Sequence, residues 1–126
     1  MNVGDYVRIK TLSGQGKIAK LEKIDDICIT DTGAIDKNNI IKSSPQIIDL
    51  IEHMDILYLK KPIKIYGMDK TVRLFNPVRC DGFTTYDDGT HCIILNLDYI
   101  VDVNDLEIEA IVTHEQMEAM QYRVEE

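Results

Sequence analysis

The chain has 126 residues, 44% of them hydrophobic, and a formal net charge of −8 at pH 7. This length suits one compact domain, and the apolar content excludes an intrinsically disordered chain. No apolar run reaches the roughly 18 to 20 residues that span a bilayer, and Asp5 stands where a signal peptide would be basic. We therefore expect a cytoplasmic protein. The three cysteines have no paired spacing and suit free thiols in a reducing compartment.

The charges are unevenly distributed along the chain. Residues 1–62 hold nine Lys or Arg and nine Asp or Glu, whereas residues 63–126 hold five and thirteen. Between Arg79 and Arg123 there are ten acids and no Lys or Arg. Such a segment repels a phosphate backbone, because proteins bind nucleic acid by neutralising phosphates with basic side chains. We therefore predict that this part of the chain does not bind duplex nucleic acid.

The first half of the chain predicts three short strands and one short helix. The strands are expected at residues 6–10, 17–24 and 27–29, separated by turns that contain glycine. This spacing is typical of a small curled barrel. Ser44 and Pro45 then predict the start of a helix that ends near residue 52 and has one apolar side.

The second half predicts more strands and a second helix. Alternating or apolar runs predict strands at residues 70–75, 83–87, 90–97, 99–103 and 122–124. Asp88-Gly89 between two of these runs is a strong hairpin signal. Thr113 and Gln116 form a capping box, which predicts that a helix begins there. The predicted fold class is therefore mainly β: a small antiparallel barrel or sheet with short helices.

The chain contains a candidate internal repeat. His53–Tyr58 is similar to Asn2–Val7, with Asp55 matched to Asp5. A period of about fifty residues would suit two related strand-turn-strand units. We predict a single compact domain over residues 1–126, within which residues 1–52 and 53–126 would be the repeats. Two SH3-like halves sharing a core would satisfy this pattern, and chance similarity between short strands would also explain it.

Three segments carry the residue types of catalytic or metal sites, but none has the required spacing. Structural zinc needs paired short spacings, whereas His91 and Cys92 are neighbours that point to opposite faces of a strand, with Cys80 far upstream. Adjacent strand residues are also a poor nucleophile and base, and nothing in the sequence brings His114 to Cys92. Residues 102–109 lack the glycine and the twelve-residue span of a calcium loop. We predict no catalytic residue, no metal site and no cofactor.

A basic and aromatic set is the best candidate for a ligand site. It consists of Arg73, Phe75, Arg79, Phe83 and Tyr86. Arg73 and Phe75 share one face of a predicted strand, and arginines near aromatic rings can bind the phosphate and the base of a small nucleotide. The alternative is that the two phenylalanines belong to the core and that the arginines are ordinary surface groups.

Three phrases of the sequence resemble a known group of proteins. They are Val-Gly-Asp-Tyr-Val-Arg at residues 3–8, Ile-Ile-Lys-Ser-Ser-Pro-Gln-Ile-Ile-Asp-Leu-Ile at 40–51 and Ile-Val-Thr-His-Glu-Gln-Met-Glu-Ala-Met-Gln-Tyr-Arg-Val at 111–124. Together they resemble small, mostly uncharacterised proteins encoded by phages and prophages of clostridia and related gut bacteria. In that group a second Val-Gly-Asp-Tyr-Val segment often follows the middle phrase, whereas His53–Tyr58 lacks its glycine. Residues 60–105 carry no such resemblance. The resemblance implies a viral gene expressed inside a bacterium and implies no activity.

Three functions are open on these observations. The first is a non-enzymatic counter-defence protein that sequesters a small anionic nucleotide signal of host immunity, as a homo-oligomer in the host cytoplasm. The second is an inhibitor whose acidic residues 80–122 imitate nucleic acid and occupy a basic groove of a host defence enzyme. The third is a structural or regulatory phage adaptor that uses strand edges as its interface. None of the three involves a membrane.

Overall fold

A computed structural model describes residues 1–10 and 16–118 of the chain. The chain divides into two compact units. Unit 1 consists of Met1–Ile51 and Thr113–Glu126, and unit 2 of Glu52–Val112. Every strand pairing among the described residues is antiparallel, so the prediction of a mainly β fold with short helices is confirmed.

Unit 1 contains one five-stranded sheet. Its strands are β1 (Tyr6–Lys10), β2 (Gly16–Lys23), β3 (Ile27–Thr30), β4 (Gly33–Asp36) and β5 (Ile40–Ser44). They lie in the order β4-β3-β2-β1-β5, and a short 3-10 helix, η1 (Lys37–Asn39), precedes the last strand. Small aliphatic residues of the first three strands form the core: Val7, Ile9, Ala19, Leu21 and Cys28.

Unit 1 also buries a charged side chain. Arg8 is fully buried. Its guanidinium donates from Nη1 to the carbonyl oxygen of Leu50 at 3.0 Å and from Nη2 to the Glu115 carboxylate at 2.7 Å. Leu50 ends the 3-10 helix η2 (Ile47–Leu50), and Glu115 belongs to helix α1, residues 114–118 of the described chain. The outward face of β1 is therefore covered by these two helical segments.

Unit 2 contains a second five-stranded sheet and a separate hairpin. The sheet consists of β6 (Ile56–Leu59), β9 (Val78–Thr85), β10 (His91–Leu95), β11 (Tyr99–Asp102) and β12 (Ile108–Val112). The order is β11-β10-β9-β6-β12, and the 3-10 helix η3 (Val103–Asp105) precedes the last strand. The hairpin pairs β7 (Ile63–Lys64) with β8 (Thr71–Val72). Buried residues on one face of the sheet form the core: Leu57, Val78, Cys80, Ile93, Leu95 and Val101.

The two units share register as well as strand order. In unit 1 the pairing of β1 with β5 shifts by one residue after Arg8, and in unit 2 the pairing of β6 with β12 shifts at the equivalent position, after Tyr58. The pairing of the next two strands shifts around Glu22 in unit 1 and around Asp81 in unit 2. The last strand of each sheet is therefore equivalent to that of the other, and so are the bulges.

The turns that open the two sheets are also equivalent. In unit 1 the Asp5 carboxylate accepts from the backbone nitrogen of Asn2 at 2.9 Å, and in unit 2 Asp55 accepts from that of Glu52 at 2.8 Å. The residue before each aspartate has a positive φ, 93° at Gly4 and 77° at Met54. Unit 2 therefore has a methionine, Met54, in the left-handed conformation that Gly4 adopts in unit 1. This conformation costs a residue with a Cβ atom about 1–2 kcal/mol.

The helical predictions are confirmed in part. Thr113 and Gln116 form the capping box, with the Thr113 nitrogen donating to Gln116 Oε1 at 2.9 Å and the Gln116 nitrogen donating to Thr113 Oγ1 at 3.3 Å. The helix expected after Ser44 is instead the four-residue 3-10 helix η2, and its N-cap is Gln46, not Ser44. Ser44 Oγ donates to Asp49 at 2.6 Å and accepts from the Gln46 nitrogen at 3.2 Å.

Two strand predictions differ from the structure or fall outside it. The strand expected at residues 70–75 is only two residues long, and the Asp88-Gly89 hairpin joins β9 to β10 as predicted. The strand expected at residues 122–124 lies outside the described residues. The single domain over residues 1–126, its repeats 1–52 and 53–126 and their common core stay predictions.

Candidate functional site

The largest difference between the two sheets is the connection between their first two equivalent strands. In unit 1, β1 ends at Lys10 and β2 begins at Gly16, so five residues connect them. In unit 2, β6 ends at Leu59 and β9 begins at Val78, so eighteen residues do. We call residues 60–77 the insertion. Since unit 1 forms the same sheet without it, the insertion is the part of unit 2 that the strand order does not require.

Backbone and side-chain hydrogen bonds attach the insertion to its own unit. The Tyr66 nitrogen donates to the carbonyl oxygen of Ile100 in the edge strand β11 at 2.8 Å. The Asn76 side chain accepts from the nitrogen of Leu59 and donates to its carbonyl oxygen, both at 2.9 Å, as a neighbouring strand would. Ile63 is buried at 1% exposure. These contacts give the insertion a defined position against β6 and β11.

Tyr66 connects the insertion to the turn between β9 and β10. Its ring stacks on that of Tyr86, with centroids 4.6 Å apart and planes at 23°. Its hydroxyl donates to Asp88 at 3.0 Å. Hydrogen bonds from Thr90, and then the one from Tyr66, hold the pKa of Asp88 below its usual range. The result is a partly exposed pair of parallel aromatic rings beside an ionised carboxylate.

The insertion is basic in an otherwise acidic unit. Its five Lys and Arg residues are all exposed, and Asp69 is its only acid. The part of unit 2 that follows the insertion, residues 78–112, contains eight acids and a single basic residue, Arg79. Of the five basic residues, Lys61 approaches Glu107 at 3.5 Å. The five are Lys60, Lys61, Lys64, Lys70 and Arg73.

Arg73 and Phe75 lie in the insertion, after β8, and both are exposed. Phe75 is 94% exposed, so it is not a core residue. Arg73 makes no ion pair or side-chain hydrogen bond with any other residue in the described part of the chain. An unpaired guanidinium and a bare aromatic ring two positions apart have the chemistry to contact an anionic group and a planar group.

Arg79 has a different environment. Its guanidinium donates to both carboxylate oxygens of Asp81, from Nε at 2.6 Å and from Nη2 at 3.2 Å. The Asp81 carboxylate, 4% exposed, also accepts from the Leu97 nitrogen at 2.7 Å. These hydrogen bonds, the one from Arg79 first, lower the pKa of Asp81. A ligand phosphate would therefore have to compete with Asp81 for Arg79.

Phe83 and Tyr86 complete the predicted set. Phe83 is paired with Ile93, a core residue, so its side chain leaves from the core face of the sheet, where it is 47% exposed. Arg79 precedes the core residue Cys80, so its side chain leaves from the opposite face. Tyr86 is engaged with Tyr66. The structure therefore does not bring the five residues to one surface: Arg79 and Phe83 lie on opposite faces of β9, whereas Arg73 and Phe75 lie in the insertion. Their role in binding stays a prediction.

Sequence reasoning missed Tyr66 and the lysines of the insertion. The lysines form a visible cluster in the sequence. Counting the charges of residues 1–62 and 63–126 separately hides this cluster, because Lys61 falls in the first half and Lys64 in the second. Tyr66 carried no signal by itself, because its partners Tyr86 and Asp88 lie about twenty residues away along the chain.

The cysteines and His91 are arranged as structural residues. All three cysteines are free and buried. Burial raises the pKa of the Cys80 and Cys92 thiols, which disfavours the nucleophilic thiolate. The His91 ring is hydrogen bonded through Nδ1 to Thr85 Oγ1 at 2.9 Å, across the strand pair.

Comparisons with family models, with curated protein sequences and with solved structures found no match to this chain. Within residues 1–10 and 16–118, no helix is both long and apolar enough to cross a membrane.

Proposed function

We propose that the protein binds and sequesters a small anionic nucleotide without transforming it. The proposal places the protein in the cytoplasm of a bacterium, encoded by a phage or prophage, as a homo-oligomer that removes a nucleotide signal of host immunity. What supports it most is one observation: the insertion exposes Phe75 at 94% beside an unpaired Arg73. A nearly bare phenylalanine is costly to keep in water, and a stacking ligand would bury it.

Each group of the insertion has a distinct role in this proposal. Arg73 binds a phosphate through two parallel hydrogen bonds, and Phe75 stacks on the base. Lys64 and Lys70 add positive charge, which attracts an anionic ligand toward an otherwise acidic unit. The Tyr66–Tyr86 pair and Phe83 offer further aromatic surface. Arg79 contributes only where a ligand displaces it from Asp81.

The direct test is calorimetric titration of the purified full chain with ATP and with linear and cyclic oligonucleotide second messengers. We expect one of these probes to bind, and we expect Arg73→Ala and Phe75→Ala each to weaken binding about tenfold, as loss of one stacked ring or one phosphate contact does. Lys42→Ala and Ile41→Ala are matched controls, because both residues are exposed on β5 of unit 1.

The proposal fails if no nucleotide binds, or if the two insertion variants bind as the controls do. Native mass spectrometry of protein purified from host lysate adds an independent readout, since it gives the oligomer mass and the mass of any retained ligand together. A retained nucleotide lost in Arg73→Ala would support the proposal, and a ligand-free monomer would count against the oligomer.

A second function is favoured by the acids of unit 2. Six of the eight acids between residues 78 and 112 are exposed: Asp87, Asp88, Asp98, Asp105, Glu107 and Glu109. On this alternative they imitate nucleic acid and occupy the basic groove of a host defence enzyme. On this alternative the protein should displace duplex DNA from a host nuclease. The displacement should weaken steeply as the salt concentration rises from about 50 to about 200 mM. Displacement that salt does not change would contradict it.

A further inference from the structure

The outward face of the β3–β4 hairpin in unit 1 carries exposed aliphatic side chains. Ile27 is 53% exposed and Ile29 38%, and Ala34, which is paired with Ile29, is exposed as well. Between them Cys28 and Thr30 are buried at 0% and 4%, because they point to the core. Unit 1 therefore leaves an apolar row uncovered beside its edge strand β4.

The equivalent row in unit 2 is not exposed. The hairpins β3–β4 and β10–β11 each contain four consecutive pairs, and each ends at an aspartate, Asp36 or Asp102, that caps a 3-10 helix. This register makes Ile27 equivalent to Cys92, Ile29 to Ile94 and Ala34 to Ile100. Cys92 is fully buried, and Ile94 and Ile100 are half-buried.

Unit 2 occupies the edge of this hairpin with its own chain. The insertion lies along β11, where the Tyr66 nitrogen donates to the Ile100 carbonyl oxygen at 2.8 Å. From there the Tyr66 side chain reaches the turn between β9 and β10, where it contacts Tyr86 and Asp88. In unit 1 the corresponding connection has only five residues, residues 11–15, which is too few for a hairpin of the length of residues 60–77.

Charge distinguishes the kind of segment that would fit unit 1. Residues 25–36, which contain the β3–β4 hairpin, include four aspartates and no Lys or Arg, and all four aspartates are exposed. The part of the insertion that lies on the equivalent edge in unit 2, residues 60–70, has four lysines, one acid and the apolar run Ile63-Lys64-Ile65-Tyr66. A basic, apolar and extended segment is therefore complementary to the open edge of unit 1.

We propose that the β4 edge of unit 1 binds an extended basic and apolar peptide segment of a partner protein by strand addition. A backbone nitrogen of the peptide donates to the edge of β4 at Ala34, as Tyr66 does to Ile100 in unit 2. Apolar side chains of the peptide cover Ile27 and Ile29, and its lysines face the aspartates of residues 25–36. The surface lies on different residues from the insertion, so neither proposal depends on the other.

The test uses a synthetic peptide with the sequence of residues 60–70, Lys-Lys-Pro-Ile-Lys-Ile-Tyr-Gly-Met-Asp-Lys, added to the isotope-labelled full chain. We expect saturable chemical-shift changes at the amides of β3 and β4. The double variant Ile27→Ser with Ile29→Ser should weaken binding at least tenfold and keep the fold, since both side chains are exposed. Ile41→Ser is the matched control, because Ile41 is 57% exposed on β5.

A second peptide, in which glutamate replaces every lysine, should not bind at the same concentrations. Three results would overturn the proposal: no shifts at β3 and β4 up to about 1 mM peptide, shifts confined to unit 2, or equal binding of the two peptides. Sedimentation of the free protein tests the other occupant of this surface. Self-association that the double serine variant abolishes would show that a second copy, not a partner peptide, covers the edge.

Discussion

The two units have sheets with the same strand order and differ in what covers the outward face of each sheet. Their sheets share the position of each strand, the bulges and the aspartate turns that precede the first strand. Unit 1 covers the outward face of β1 with η2 and α1 and buries Arg8 there. At the equivalent position unit 2 has Tyr58, which is 36% exposed.

The two units differ in where their outward charged and aromatic groups find contacts. In unit 1 the outward polar contacts are internal: Arg8 binds the chain's own Leu50 and Glu115. In unit 2 the long connection carries five exposed basic side chains and the exposed ring of Phe75, and of the basic groups Arg73 makes no ion pair within the described residues. We therefore expect substitutions in the outward cover of unit 1 to change stability, and substitutions in the insertion to change binding.

The largest predicted effect is at the buried ion pair of unit 1. Glu115→Ala should lower the free energy of unfolding by about 1.5–3 kcal/mol, because it removes the charged hydrogen bond that the Glu115 carboxylate accepts from the buried Arg8 guanidinium. Urea denaturation followed by circular dichroism measures this change. Glu118→Ala is the matched control, since Glu118 is exposed on the same helix and should cost at most about 0.5 kcal/mol.

A double variant tests whether the loss of stability comes from the unbalanced charge of the ion pair. Arg8→Met combined with Glu115→Leu removes both charges and keeps apolar volume, so it should recover most of the stability lost in Glu115→Ala. If Glu115→Ala and Glu118→Ala have equal stabilities, the outward cover of unit 1 does not depend on this ion pair.

An intermediate effect is expected at the two equivalent turns. Gly4→Ala should cost about 1–2 kcal/mol, because φ is 93° there although a Cβ atom would meet nothing within 4 Å. Met54→Gly should gain up to about 1 kcal/mol, since it relieves a φ of 77° but makes the unfolded chain more flexible. Thermal unfolding measures both changes.

Met54→Ala is the control for this turn, because it shortens the side chain and keeps the strained backbone. A gain in Met54→Ala as large as that in Met54→Gly would mean that the side chain, and not φ, is the source of the strain.

The smallest effect concerns pH and the bulge of unit 2. The folded-state pKa of Asp81 is lowered, first by Arg79, so its ionised form stabilises the fold above the unfolded pKa of about 3.9, and this contribution is lost as pH falls through the folded pKa. Asp81→Asn should therefore lower Tm at pH 7, and the difference from the wild-type chain should shrink as the pH falls below the unfolded pKa of about 3.9.

Glu22→Gln tests the same position in unit 1. Glu22 is exposed and, among the described residues, makes no side-chain hydrogen bond or ion pair, so its substitution should leave the Tm profile nearly unchanged. A pH-independent difference between Asp81→Asn and the wild-type chain would show that the packing of Asp81, and not its charge, stabilises the bulge.

Part of the candidate site could be read from the sequence. The alternation of Lys70–Phe75 predicted a strand over these six residues, but only Thr71 and Val72 pair as one, and Arg73 and Phe75 follow it in irregular chain. The exposure of the two phenylalanines could not be predicted in the same way. A core position was an alternative for both, because the chain has only two phenylalanines, but Phe75 is 94% exposed. Hydrophobicity ranks residues by their average burial and does not fix the burial of any one of them.

By itself the sequence determined the local features of this protein, because short-range patterns depend on neighbouring residues. The Asp88-Gly89 hairpin and the Thr113–Gln116 capping box are of this kind. The tertiary structure alone decided which distant groups meet. Arg8 and Glu115 are 107 positions apart, and Tyr66 lies about twenty positions from Tyr86 and Asp88. Long-range pairing follows from the whole pattern of strand register, which no single segment contains.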